Sequence, residues 1–564
     1  MSSINLENLT MPESTRCAYL FRYFYELESV KLPKNATTIH SLIFDECFKL
    51  KNVDIPDTVT TIRFCAFQDC GIESITLPDT ITSISFGAFQ ACKNLESIVL
   101  SNQLDEISDQ AFLRCVSHKS ITIPDSVTII DKGAFKGCTK LKNITLPSSL
   151  TTISKEAFCN CTELESIIIP DSVISIDNAA FKGCTKLKNI ILPSLLTAIG
   201  FEAFSDCTSL ESINIPDGVI SIWEKAFENC TSLKSIKIPD SVESIDFYAF
   251  KGCKNLKDIT IPNSVTLIDL SVFENCESLE RIKLPEIVTE IRNSAFEGCR
   301  SLKNITLPDT ITAIGEHAFS ECTSLEDITI PNGTLVICDS EFENCESLKQ
   351  VKLPDSVTKI TNCAFSGCRS LKNITLPNAL ISIGCYAFDE CTSLESIEIP
   401  YGTTDIGHYA FHQCKSLKSI ALPNSLYYIG AHAFNNCESL EHINLPDSID
   451  KIYNNTFAGC RSLEYITIPD TIRSIGGYAF SECTSLENLE IPYGVTDIGF
   501  MAFYHCKNLK NITIPTSLHY INSYAFSECE SLETVTIISD STSKTIDVRG
   551  LDLDTMDQWI FLLF

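Results

Sequence analysis

The sequence predicts a repeat solenoid of about 22 coils of 23 residues, with a parallel β-sheet along one side. Three rows of residues predict it. A Phe recurs 22 times from Phe44 to Phe526, always 23 residues apart except for the 22 between Phe67 and Phe89. A Cys follows each Phe by three residues, from Cys47 to Cys529. A Pro precedes each by eleven, from Pro33 to Pro515, with Ser101 the one exception. A fixed period marks an architecture that grows by stacking, so 564 residues need not divide into several globular domains.

The segment from Leu302 to Cys322 shows what each residue of the unit does. Leu302, Ile305 and Leu307 read as the inward set of a short strand, and Lys303, Asn304 and Thr306 face out. Pro308 ends the strand because it has no N–H to give to a ladder. Ile311 and Ile314 return inward on the opposite side. Ala318 and Phe319 fill the core, and Cys322 precedes the next turn. One such unit cannot bury its apolar side alone, whereas stacked units cover one another.

The pattern Leu-x-x-Ile-x-Leu-Pro, then Ile-Gly-x-x-Ala-Phe-x-x-Cys, resembles the BspA-type, or Treponema pallidum-type, leucine-rich repeat. The resemblance covers roughly residues 27 to 538. It implies a right-handed arc with the parallel sheet on the concave side and short strands, turns and 3-10 segments on the convex side. It also implies a surface protein that binds matrix proteins or other cells. Residues 1–26, with the aromatic block Tyr19 to Tyr25, are expected to cap the first coil as a short helix. Residues 539–564, ending Trp559-Ile-Phe-Leu-Leu-Phe564, either cap the last coil or dock on a partner.

Two further rows read as scaffold. The position after the first Leu of each unit, from Glu28 to Glu533, holds only Lys or Glu, and the sign changes at 16 of 22 steps. Opposite charges in register favour one alignment of coils over slipped ones. The 22 repeat Cys show no CxxC spacing and no accompanying His, which points to buried thiols bonded weakly to the turn backbone rather than to disulfides or zinc. Around Ser101 the pattern drifts, and His118, in place of the first Leu, is expected to be half-exposed.

Composition excludes several functions. A net charge of −29 argues against a nucleic-acid or anionic-lipid surface. The segment Met1 to Thr10 has neither the basic nor the apolar region of a signal peptide, and no run is long enough to span a bilayer. The chain is therefore expected either to stay in the cytoplasm or to leave by a route the sequence does not display. No phosphate loop, HExxH or nucleophile elbow occurs. No enzyme, cofactor or metal site is expected. His408 and His412 are four apart but enclose the repeat core Ala410-Phe411. Asn-x-Ser/Thr sequons such as Asn143, Asn304, Asn373 and Asn511 fall on the strands and read as incidental.

Specificity must then lie in outward residues that vary. One candidate set is basic and flanks the central strand residue in mid-chain: Lys237, Arg281, Lys283 and Lys352, diluted by Asp258 and Asp327. The other is aromatic. Twelve of 16 Tyr lie between Tyr386 and Tyr524. Two residues before the repeat Phe, the late units carry Tyr386, Tyr409, His432, Asn455, Tyr478, Met501 and Tyr524, where early units carry Gly87, Gln110, Gly133, Glu156 and Ala179. Tyr brings apolar area with a polar tip, the chemistry of protein interfaces. The expected function is non-catalytic protein binding or adhesion, with an intracellular scaffold as the alternative.

Overall fold

The computed structural model describes residues 2–8, 18–522, 524–539 and 542–550. Among them every regular element is a β-strand and none is a helix. The chain divides into two compact units, Met1–Ile287 and Val288–Phe564. Each is a stack of coils with parallel strands.

In the first unit a coil begins with the strand Ser120–Thr122, turns at Pro124, forms the two-residue strand Ile129–Ile130 and closes through tandem turns around Phe135. The next coil repeats this with Asn143–Thr145 and Thr152–Ile153. Ser120, Ile121 and Thr122 pair in parallel with Asn143, Ile144 and Thr145. The second unit follows the same plan, pairing Ser396–Glu398 with Ser419–Ala421 and Asp405–Ile406 with Tyr428–Ile429. Alternation along a strand sends the central Ile inward and its two neighbours outward. Pro ends the strand, and its carbonyl then accepts from the residue three ahead, as Pro124 does from Val127 at 3.1 Å.

The side bearing the Phe is built of turns, for a backbone reason. Gln110, Phe112 and Arg114 donate their N–H groups to Lys132, Ala134 and Lys136 of the following coil. Ala111, Leu113 and Cys115 turn back on carbonyls three residues earlier. Holding both sets requires two left-handed residues per coil, here Gln110 at φ 56° and Arg114 at 59°. At the second of these positions other coils use Gly137, Asn160, Gly183 and Asp206, residue types that tolerate the conformation.

The core is continuous within each unit. Phe135 and Phe158 lie 5.5 Å apart with planes 2° from parallel, and Phe411 and Phe434 are the same. Nearly parallel rings at that centroid distance are offset, the favourable stacking. The Phe135 carbonyl accepts the Cys138 N–H of its own coil at 3.1 Å and the Cys161 Sγ–H of the next at 3.2 Å. This link recurs along the row, and the described cysteines are thiols rather than disulfides. Burial pushes the Cys92 and Cys138 thiols up to about 12. The charged row is also bridged from coil to coil, with Lys119 to Glu96 at 2.8 Å and Lys349 to Glu326 at 2.7 Å.

Two expectations are corrected. The segment Tyr19–Tyr25 is no helix: Phe21 stacks on Phe44 at 5.7 Å, and Tyr19 and Tyr23 have φ of 68° and 67°. It is one more turn side of the same design, preceded by the strand Ser3–Asn5 paired to Ser29–Lys31. His118 is fully buried (0% exposed) against Phe112. It fills an inward Leu position, so the coil takes the ring inside. Burial lowers its pKa to about 4.

At the other end Thr534–Ile538 pairs antiparallel with Ser543–Asp547, which occupies the last open strand edge. The terminal Trp559–Phe564 run lies outside the described residues. The three-residue strands hydrogen-bond in short groups, and Asn373–Thr375 pairs with neither neighbour.

Candidate binding surface

All the predicted aromatic residues fall in the second unit, on its turn side. Tyr386, Tyr409, His432, Tyr478 and Tyr524 hold φ between 55° and 62°. Each of the first three donates its N–H to the next coil, to His408, Ala431 and Asn454, so the backbone beneath them is fixed. Their side chains then stand in file. Tyr386 and Tyr409 stack at 4.6 Å with planes 4° apart, and Tyr409 and His432 at 4.3 Å and 10°. Asn455 ends the file. Beyond it Tyr478 and Tyr524 meet Phe500 edge-on at 5.6 and 6.1 Å, so the predicted row is two groups rather than one ladder.

Polar neighbours fix the stack. His412 meets Tyr409 edge-on at 5.5 Å, and its Nδ1 lies 2.8 Å from Asp389. His408 accepts the Ala431 N–H at Nδ1, 2.9 Å away. In the neutral ring the proton then sits on Nε2, which donates to the Tyr428 hydroxyl at 3.1 Å. Burial, then the nearby His412 and His408, lower the pKa of His432. Burial raises the Tyr386 hydroxyl. His408 and His412 sit on turns, and among the described residues no three His, Cys, Asp or Glu are grouped to hold a metal.

The basic candidates separate. In the first unit Arg281 is paired with Asp258 at 3.1 Å, its register neighbour. Lys283 is in register with Thr260, and Lys237 with Asn214. In the second unit Lys352 is in register with Thr329. Each stands beside a small polar or acidic residue, which leaves no concentrated positive patch among them.

Sequence reasoning missed a group in the first unit. Lys225 Nζ lies 5.9 Å from the Phe201 ring and 5.5 Å from Tyr248, while Lys251 lies 5.1 Å from Tyr248. Trp223 and Phe247 are exposed nearby in the sequence of these coils. The signal was present: Tyr248 stands two residues before its Phe, at φ 61°, in the very row that carries the late tyrosines.

The Phe and Cys rows, and the Pro row broken only at Ser101, thus belong to the scaffold. The family model of the BspA type leucine rich repeat region matches residues 14–126, 105–234, 221–349, 335–464 and 450–548. The chain belongs to this family. Among solved structures, this BspA-type chain is 36% identical to a leucine-rich repeat protein from Bacteroides ovatus, over 57% of this chain and 86% of that one, with a TM-score of 0.55. A T. pallidum leucine-rich repeat protein is 33% identical over 28% of this chain and 77% of its own, with a TM-score of 0.27. The pneumococcal vaccine antigen PcpA is 22% identical over 62% and 84%, with a TM-score of 0.37. No curated protein matches the chain. Among the described residues no helix is long and apolar enough to cross a membrane.

Proposed function

We propose that this BspA-type chain is a non-catalytic, protein-binding adhesion protein, surface-associated as the family resemblance implies, whose partner docks on the turn side of the second unit. One observation carries the reading. Tyr386, Tyr409 and His432 stack on left-handed backbone positions where Gly87 and Gly133 show that glycine serves. A side chain with a Cβ there costs roughly 1 kcal/mol per residue, about what ring stacking returns, so the fold gains little net from choosing aromatics. Rigid, ordered rings with polar edges lose little entropy on docking, which is why such residues dominate interfaces.

The test is to bind the full chain to matrix proteins and intact cells beside a variant carrying Tyr386→Gly, Tyr409→Gly and His432→Gly. The reading expects binding to fall at least roughly tenfold, the value of one lost interface anchor, with melting preserved. Equal binding by both proteins would overturn it. Protease treatment of intact producing cells tests the surface assignment separately; a chain cut only after lysis belongs to the intracellular scaffold reading.

A further inference from the structure

Two grooves open on the side of the three-residue strands, where hydrogen bonding between coils is interrupted. One, of about 390 Å³, lies in the first unit along Val99, Ser120, Thr122 and Asn143. The other, of about 610 Å³, lies in the second unit around the unpaired Asn373–Thr375. The second groove has a plan that its counterpart lacks. Asn373, Thr375 and Asn378 come from one coil and form its middle. Asp355 belongs to the preceding coil, at the position equivalent to Asn378. Glu398 and Tyr401 belong to the following coil, at the positions of Thr375 and Asn378. Three coils span two strand spacings, about 10 Å, the width of a six-membered ring with its substituents.

Tyr401 is held out at the rim. Pro400 accepts the Thr403 N–H at 3.2 Å, and Gly402 has φ 110°, so a tight turn projects the Tyr ring to 82% exposure. The side chains of Asp355, Asn373, Thr375, Asn378 and Glu398 make no hydrogen bond or ion pair among the described residues. At other places on this side of the unit such groups satisfy one another in pairs, as Asn511 donates to Asn488 at 2.8 Å and Thr467 to Asn444 at 3.1 Å.

The chemistry of the lining selects the ligand. No Lys, Arg or His lines the groove, so it does not suit phosphate or a carboxylate. The two carboxylates stand on opposite rims with a coil between them, so they cannot close together on one ammonium group. The lining is too polar for an acyl chain. What remains is a mixture of amide and hydroxyl donors, carboxylate and amide acceptors, free backbone groups and one flat aromatic face.

The geometry points to a carbohydrate site here, taking one or two neutral pyranose rings. Asn373, Thr375 and Asn378 hydrogen-bond ring hydroxyls from the floor. Asp355 and Glu398 accept hydroxyl protons at the rims, and Tyr401 covers an apolar ring face. Saturation-transfer NMR on the full chain tests it, with lactose, maltose, cellobiose and N,N′-diacetylchitobiose as neutral probes and spermidine as the cationic one. At least one disaccharide should receive saturation, with affinity weakened roughly tenfold or more by Tyr401→Ala and by Thr375→Val, about the worth of one anchoring contact. Thr122→Val in the first unit's groove should leave it unchanged. Silence from all four disaccharides, transfer to spermidine alone, or sugar binding indifferent to Tyr401→Ala would each overturn the site. Tyr401 is exposed, so its loss tests binding without removing a core side chain.

Discussion

Glu156 in the first unit and Tyr409 in the second occupy the same place in their coils. Their φ angles are 58° and 57°, and each donates its N–H to the following coil, at 2.9 and 3.1 Å. Glu156 reaches sideways to pair with Lys136 at 2.7 Å. Tyr409 instead stacks between Tyr386 and His432. The backbone asks the same of both, so the choice of side chain records something other than folding. Within a solenoid, rows that repeat describe the scaffold, and rows that differ between regions at constant backbone describe use.

This comparison can be pressed at several points. The largest effect should fall on what the regions share. Phe135→Ala and Phe411→Ala each leave a cavity in a filled ring stack and should each cost about 3–5 kcal/mol in denaturant unfolding. A large inequality between them would show that the two scaffolds differ after all.

The next effect separates the regions by pH. His118, in the first unit, titrates near 4 when folded against 6.5 ordinarily. The unfolded chain therefore takes up the proton first as pH falls, and stability present above 6.5 is lost toward 4. At about 1.4 kcal/mol per pH unit this is roughly 3 kcal/mol, and His118→Leu should abolish that acid sensitivity. In the second unit Glu341 replaces the core Ala, fully buried, with Oε1 unbonded and its pKa raised well above 4.5 by burial. Its sign is opposite: stability is intact below 4.5 and declines as pH rises. Glu341→Ala should raise the melting temperature, more at pH 8 than at pH 4.

Tyr409→Gly sharpens the contrast at one residue. Lost stacking and relieved backbone strain oppose each other at about 1 kcal/mol each, so melting should barely move while partner binding falls. The smallest effect belongs to the exposed charge row. Lys349→Glu should lower melting by about a degree at low salt and leave it unchanged in 1 M salt.

The period, the inward Phe, Cys and Ile rows and the polarity of each strand were legible in the sequence because packing repeats with the coil. The left-handed positions were half legible. Gly137, Asn160, Gly183 and Asp206 announce one of them, whereas the other accepts anything from Gly87 to Tyr524. The first coil hid behind Leu20 in place of Ala and Phe24 in place of Cys. His118 reads as polar and so as exposed, although a coil that needs an inward side chain takes whatever stands there. The candidate row was visible as composition, but the division at Asn455 was not, since stacking depends on consecutive rings meeting face to face. The groove at Asn373 depends on strands parting, which no residue type encodes.

The sulfur-to-carbonyl link of the Phe and Cys rows has a consequence for where such a chain can operate. A thiol held near 12 is ionised at neutral pH to roughly one part in 10⁵, and the thiolate is the nucleophile that reacts with oxidants and attacks disulfides. Each Sγ–H is also engaged and shielded by the coil before it. The repeat therefore uses cysteine without acquiring redox chemistry. A column assembled this way keeps the same internal bonds in a reducing cytosol and in an oxidising exterior, which frees its destination from its fold.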